Sequence, residues 1–151
     1  MSAFPSPDSL ALMVNSVTTT MMNVKFALAG QSGSRAAFRR AVLPIPGLIP
    51  VSVVLACDQD SCKLLGAKLF CVSPEEVDVS MIEDTLRELA NITAGQVKRA
   101  MSLDQALGLP RILEGGEVWS SAIDGTQLVH LRAEVGDIQL ELQIATHPHG
   151  S

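Results

Sequence analysis

The chain has 151 residues and a net charge of −5, with 47% apolar but only 3% aromatic residues. No Lys/Arg cluster could track a phosphate backbone, and no apolar run reaches the roughly 20 residues that a membrane-spanning helix needs. Cys57, Cys62 and Cys71 lack a paired C-x-x-C spacing, so nucleic-acid binding, a transmembrane role and a structural metal site fall away together. What remains is a single domain over residues 1–151, ordered from about 8 to 146, with a core of Leu, Ile, Val, Ala and Met. The first 24 residues hold no Lys or Arg. A charged secretory leader is therefore not expected, the compartment is read as cytoplasmic, and the cysteines are read as reduced, small apolar residues. The aliphatic excess also points to self-association, with a homodimer expected.

Asp8, after Pro7, is placed as the N-cap of a first helix whose stripe is Leu10, Val14, Val17, Met21 and Val24. Met13, Met21 and Met22 are core or interface filler. Gly30 to Ser34 is a loop; no Gly-Lys-Ser/Thr follows, so it is no phosphate loop. Two strands are expected over 37–43 and 51–57, joined by a rigid connection with Pro44, Pro46 and Pro50. Asp60 is placed as the cap of a short helix that turns Leu64, Leu65 and Leu69 inward. Ser80 and Glu83 have capping-box spacing and open a long helix that runs to about Met101.

Beyond Pro110 the apolar period changes from helical to two. Residues 118–123, Asp124-Gly125 and 128–133 predict a hairpin with a type I′ turn. After a turn at Gly136-Asp137, Ile138, Leu140, Leu142 and Ile144 alternate with polar residues. The fold class that follows is α+β, an antiparallel sheet with two long helices packed on one face.

The long helix carries the candidate site. Ile82, Leu86, Leu89, Thr93, Val97 and Ala100 share its core face. Asp84, Glu88, Asn91 and Gly95, spaced by four, three and four, fall within an arc of about 60° on the opposite side, and Lys98 and Ser102 extend that line. A solvated face accounts for Asp and Glu. It accounts less well for Asn and Gly, because Gly costs a helix interior about 1 kcal/mol relative to Ala. A glycine there lets another backbone come close, which suits docking.

Asp84-x3-Glu88-x2-Asn91, continuing Ala90-Asn91-Ile92-Thr93-Ala94-Gly95, resembles the Asp/Ser-x3-Glu-x2-Asn signature of the CheC/CheX/FliY chemotaxis phosphatases. Glu-x-x-Asn alone recurs in about one of three chains of this length, and the earlier Asp and the continuation make the match specific. One such signature is present, as in CheX, where CheC proteins commonly carry two. The proline-rich stretch before Val51 departs from relatives, which usually have glycines there.

The resemblance implies a CheX-like fold and a phosphatase that hydrolyses the aspartyl-phosphate of a CheY-type response regulator in two-component signalling. It implies catalytic roles for Glu88 and Asn91 and partner docking by Asp84, Gly95 and Lys98. No metal site and no cofactor of the chain's own are implied; Mg2+ is expected in the receiver partner. The alternatives are a catalytically silent CheX-like adaptor that binds a receiver, and a structural dimerisation module. His130 reads as a core-edge or surface residue, Trp119 as a packing residue heading a strand, and His147-Pro148-His149 as a disordered tail.

Overall fold

The structure, a computed structural model, describes residues 4–30, 35–117, 119 and 122–148. Helix α1 (Pro7–Met22) is followed by β1 (Phe26–Ala29), β2 (Arg39–Ile45) and β3 (Val51–Cys57). Then come α2 (Gln59–Phe70), a 3-10 turn at Pro74–Glu76, α3 (Val79–Ala100), β4 (Arg111–Glu114), β5 (Gly125–Ala133) and β6 (Gln139–Thr146). The strands form one six-stranded sheet in the order β1-β5-β6-β3-β2-β4, and each described pairing is antiparallel. No helix among the described residues is long and apolar enough to cross a membrane.

Strand alternation decides which face the helices cover. Leu43, Val53, Leu55, Leu131, Leu142 and Ile144 point to one side, where they pack with Leu10, Val14 and Val17 of α1, Leu65 of α2 and Ile82, Leu86, Leu89 and Val97 of α3. Val42, Val54 and Leu113 point to the other side, where Trp119 packs on them. All seven residues of β3 are buried, the pattern of a strand covered on both faces. The predicted α+β class, with helices on one face of an antiparallel sheet, is what is found.

Several local expectations need correction. The three helices are capped by Ser6, Asp58 and Asp78, not by Asp8, Asp60 and Ser80. Each true cap lies two residues upstream, where its side chain accepts from the amide three residues on: Ser9 at 3.1 Å, Ser61 at 3.2 Å and Met81 at 2.9 Å. Glu83 does not reach back to a cap; its carboxylate faces Arg39 at 3.3 Å and Arg87 at 3.6 Å. Strand β2 starts two residues later than the strand expected over 37–43 and includes Pro44. Pro44 is tolerated because β4 pairs β2 only over Arg39 to Val42, so no ladder donor is needed there from position 44 on that edge.

The described residues of the predicted hairpin over 118–133 do not pair as one. Val118, Ser120 and Ser121 lie outside the described residues, while Trp119, Ala122 and Ile123 are not in a strand. Neither Asp124 nor Gly125 has the positive φ that a type I′ turn requires. Gly125 instead opens β5 opposite Thr146 of β6, and the other edge of β5 is taken by β1 from Phe26 to Ala29. The turn at Gly136 is as expected, with φ +90.

His147 is not part of a loose tail. It is buried, Nε2 lies 2.7 Å from Ser52 Oγ and Nδ1 lies 2.7 Å from the Ala122 carbonyl. Because a carbonyl only accepts, Nδ1 carries the proton, and the Ser52 hydroxyl donates to Nε2. His149 lies outside the described residues. Trp119 meets the His147 ring edge-on at 5.9 Å, so it packs as expected, though from a connection rather than a strand. All three cysteines are free; Cys57 and Cys62 are buried as expected, but Cys71 is exposed at the left-handed end of α2. The hydrogen bond with Cys62, and then burial, hold the Cys57 thiol well above its ordinary pKa.

Candidate functional site on the long helix

Both ends of α3 are fixed. Asp78 caps the start. At the finish Ser102, at φ 55, sends its amide to the Arg99 carbonyl at 3.2 Å, and Leu103 reaches the Lys98 carbonyl at 2.9 Å. That pair of bonds is a Schellman ending with Ser in place of the usual glycine. Lys98 and Arg99 sit in the last turn, where the helix dipole favours cations. Between the ends, Ile82, Leu86, Leu89, Ala90, Ala94 and Val97 are buried against the sheet and α1. Gln96 binds sideways to α1 through the Met13 carbonyl at 3.4 Å and the Ser16 hydroxyl. The helix is a rigid rod with one side free.

The predicted site residues lie on that free side. Asp84, Glu88 and Asn91 are exposed, and Gly95 and Lys98 are half-buried. A Cβ built on Gly95 meets nothing within 4 Å, so the space over the middle of the helix is open. Polar contacts divide the group. Asp84 Oδ1 accepts from Arg87 at 3.0 Å, and Arg87 continues through Glu83 to Arg39 of β2. Glu88, Asn91 and Lys98 make no side-chain hydrogen bond or ion pair with any described residue.

Asp84 is thus anchored to the protein, whereas Glu88 and Asn91 present a free carboxylate and a free amide one turn apart. The amide offers a donor and an acceptor at neutral charge, and the carboxylate a negative charge with open lone pairs. Together they can fix a water or a polar group beside a cation belonging to another molecule. No group of three or more His, Cys, Asp or Glu able to hold a metal is found among the described residues. The Arg39–Glu83–Arg87–Asp84 chain was not foreseen from sequence, since Arg39 meets Glu83 only through the packing of α3 on β2.

The family model described as chemotaxis phosphatase CheX matches residues 40–134, a span that includes the whole of α3. The chain belongs to the CheX family. Among solved structures it is similar to CheX from Vibrio vulnificus, with a TM-score of 0.77 at 12% identity, over 97% of this chain and 100% of that one. It is also similar to a CheX–CheY–BeF3–Mg complex from Borrelia burgdorferi, with a TM-score of 0.69 at 16% identity, over 97% of this chain and 100% of that one. The FliM middle domain from H. pylori gives 0.61 at 13% identity, over 91% of this chain and 85% of that one. At such identities the likeness shows the fold. No curated protein matches the sequence.

Proposed function

We propose that this CheX-family chain is a phosphatase that accelerates hydrolysis of the aspartyl-phosphate on a CheY-type receiver protein. The observation that carries the reading is the pair Glu88 and Asn91, exposed and without hydrogen-bond or ion-pair partners among the described residues, on a helix whose other faces are held. A solved CheX–CheY–BeF3–Mg complex supports the class of partner.

Hydrolysis of an acyl phosphate needs a water held in line with the breaking P–O bond and charge stabilisation on the equatorial oxygens. By resemblance to the family, the receiver contributes Mg2+ and a lysine, and this chain contributes the positioning of water, a term worth several kcal/mol. The Asn91 amide enters beside the phosphoryl group and hydrogen-bonds the attacking water. Glu88 pairs with the receiver lysine and fixes the approach of the two proteins. Asp84 orients the surface from its place against Arg87, and Gly95 and Lys98 extend the docking line. No covalent intermediate on this chain is required.

A second reading keeps the fold, which the FliM middle domain shares, and has the chain bind a receiver without hydrolysing anything. Phosphate release from a phosphorylated receiver, with and without this protein, separates the two. The phosphatase reading expects acceleration that falls about 100-fold in Asn91→Ala, equivalent to about 2.7 kcal/mol of barrier, with unchanged affinity for the beryllofluoride-bound receiver. Equal phosphate release in the presence and absence of the wild-type chain removes it.

A further inference from the structure

Beyond Asn91 the free side of α3 runs into a groove of about 450 Å3, lined by Gly95, Lys98, Arg99, Leu103, Asp104 and Leu107 among others. Ser102, Leu103 and Asp104 also line a second groove, bounded on its far side by residues 46–49. The two depressions therefore form one surface, which begins one turn after Asn91 and ends on the connection between β2 and β3. Leu103 and Leu107 are half-buried and pack on the core, so the base of this surface is apolar. Leu48, 76% exposed, and Ile49, 43% exposed, raise its far rim.

That rim is fixed. Pro44, Pro46 and Pro50 each restrict φ, the Pro44 carbonyl accepts from the Gly108 amide at 2.7 Å, and the Pro50 carbonyl accepts from the His147 amide at 2.9 Å. A Cβ on Gly108 would come within 2.6 Å of Pro44 Cγ, so glycine is what lets the two segments close. Two large apolar side chains are thus held in solvent on a stapled connection, an arrangement that loses little further order when a partner covers them. Charge divides along the same line. Asp84 and Glu88 stand towards the start of α3, and Lys98 and Arg99 lie in its last turn, with Lys98 about 15 Å beyond Glu88 along the axis. Neither cationic side chain makes a hydrogen bond or ion pair with any described residue, although Asp104 lines the same groove.

We propose that this surface is the second half of the receiver-docking face, an inference that rests on the receiver reading of α3 given above. It takes a receiver segment that carries an apolar side chain beside a carboxylate. The apolar side chain packs among Leu48, Ile49, Leu103 and Leu107, and the carboxylate meets Lys98 and Arg99. A receiver held by its lysine at Glu88 and by a carboxylate about 15 Å away lies along α3 in one direction only, so the charge pattern fixes the orientation of the complex. The helix dipole by itself favours cations in the last turn, but it gives no reason for a stapled apolar rim beside them. A second copy of this chain is the competing occupant. The receiver is favoured because the surface starts at Gly95, one turn from the amide beside which the receiver sits.

The test titrates the full chain with the beryllofluoride–Mg2+ form of the CheY-type receiver that the wild-type chain binds. The double variant Leu48→Ser with Ile49→Ser changes two exposed side chains and should weaken binding at least about tenfold, its thermal unfolding midpoint serving as the control for folding. Lys98→Glu should weaken binding about tenfold at low salt, and the gap should narrow at about 0.5 M salt. The backbone amides of Leu103 and Leu107 should shift in NMR spectra as receiver is added. Wild-type affinity in the double variant overturns the proposal and leaves the phosphatase reading standing, since Glu88 and Asn91 are untouched. So does a double variant that alters sedimentation of the chain alone but not receiver affinity, which makes a second copy the occupant. Undiminished affinity of Lys98→Glu overturns the carboxylate contact and with it the fixed orientation. A wild-type chain that binds no receiver removes this proposal together with the reading it rests on, and that result is distinct from each of the others.

Discussion

The two sides of α3 are built on opposite principles. On the inner side, Ile82, Leu86, Leu89 and Val97 are each about fully buried, and their geometry is determined by what they touch. On the outer side, the Glu88 and Asn91 side chains are exposed and make no hydrogen bond or ion pair with any described residue, so their placement is determined mainly by the backbone that carries them. A side chain packed inside contributes to stability, while one held out on a rigid support is preorganised for another molecule at little cost in side-chain order within the fold. The contrast makes a sharp claim: substitutions of the inner side chains should change folding, and those of the exposed Glu88 and Asn91 side chains should change mainly what happens with a partner.

The largest effect is expected inside. Leu89→Ala removes a fully packed side chain from the centre of the core cluster and should cost about 2–5 kcal/mol of unfolding free energy in urea titrations. A loss under about 1 kcal/mol would mean that the inner face is loosely packed and α3 is no rigid support. Next comes Glu88, whose proposed partner is a cation on the receiver. Glu88→Lys should weaken receiver binding about 10- to 30-fold, and the reciprocal Lys→Glu change in the receiver's active site should recover part of that loss in a double-mutant cycle. Urea midpoints of Glu88→Lys should stay close to wild type, since the wild-type carboxylate has no hydrogen-bond or ion-pair partner among the described residues to lose. Additive effects in the cycle would place the receiver lysine elsewhere.

How much of this contrast was legible before the fold was known depends on the range of the interactions involved. The faces of α3 follow from helical period alone, so its core line from Ile82 to Val97 and the stripe of Asp84, Glu88, Asn91 and Gly95 were both readable, while Ala100, expected on the core line, is exposed at the end of the helix. Helix starts were read two residues late in all three cases, because apolar periodicity begins inside the helix whereas the capping side chain precedes it. Strand β1 was missed, since four residues of Phe-Ala-Leu-Ala carry no alternation and become a strand only through pairing with β5. The hairpin over 118–133 failed for a related reason. Asp-Gly is a local turn signal, but the register with Thr146 supplies a long-range ladder that outweighs it. Arg39–Glu83 and the Ser52–His147 contact likewise join segments 44 and 95 residues apart, and no spacing rule reaches that far.

Gly95 gives the smallest effect and the most discriminating one, because the two sides of α3 predict opposite signs for it. Glycine in a helix interior is less favourable than alanine by about 1 kcal/mol. Its φ is not in the left-handed region, and an added Cβ meets nothing within 4 Å. Gly95→Ala should therefore stabilise the fold by about 0.5–1 kcal/mol, raising the unfolding midpoint by about 1–4 °C for a chain of this size. If the glycine is there so that a partner's backbone can come close, the same methyl group should weaken receiver binding by a few-fold while the protein becomes more stable. A purely structural residue cannot yield that combination, since a better-formed helix would leave binding unchanged or improve it. Thermal unfolding and receiver titration of the single variant read both signs. Higher stability with undiminished affinity would remove Gly95 from the docking line.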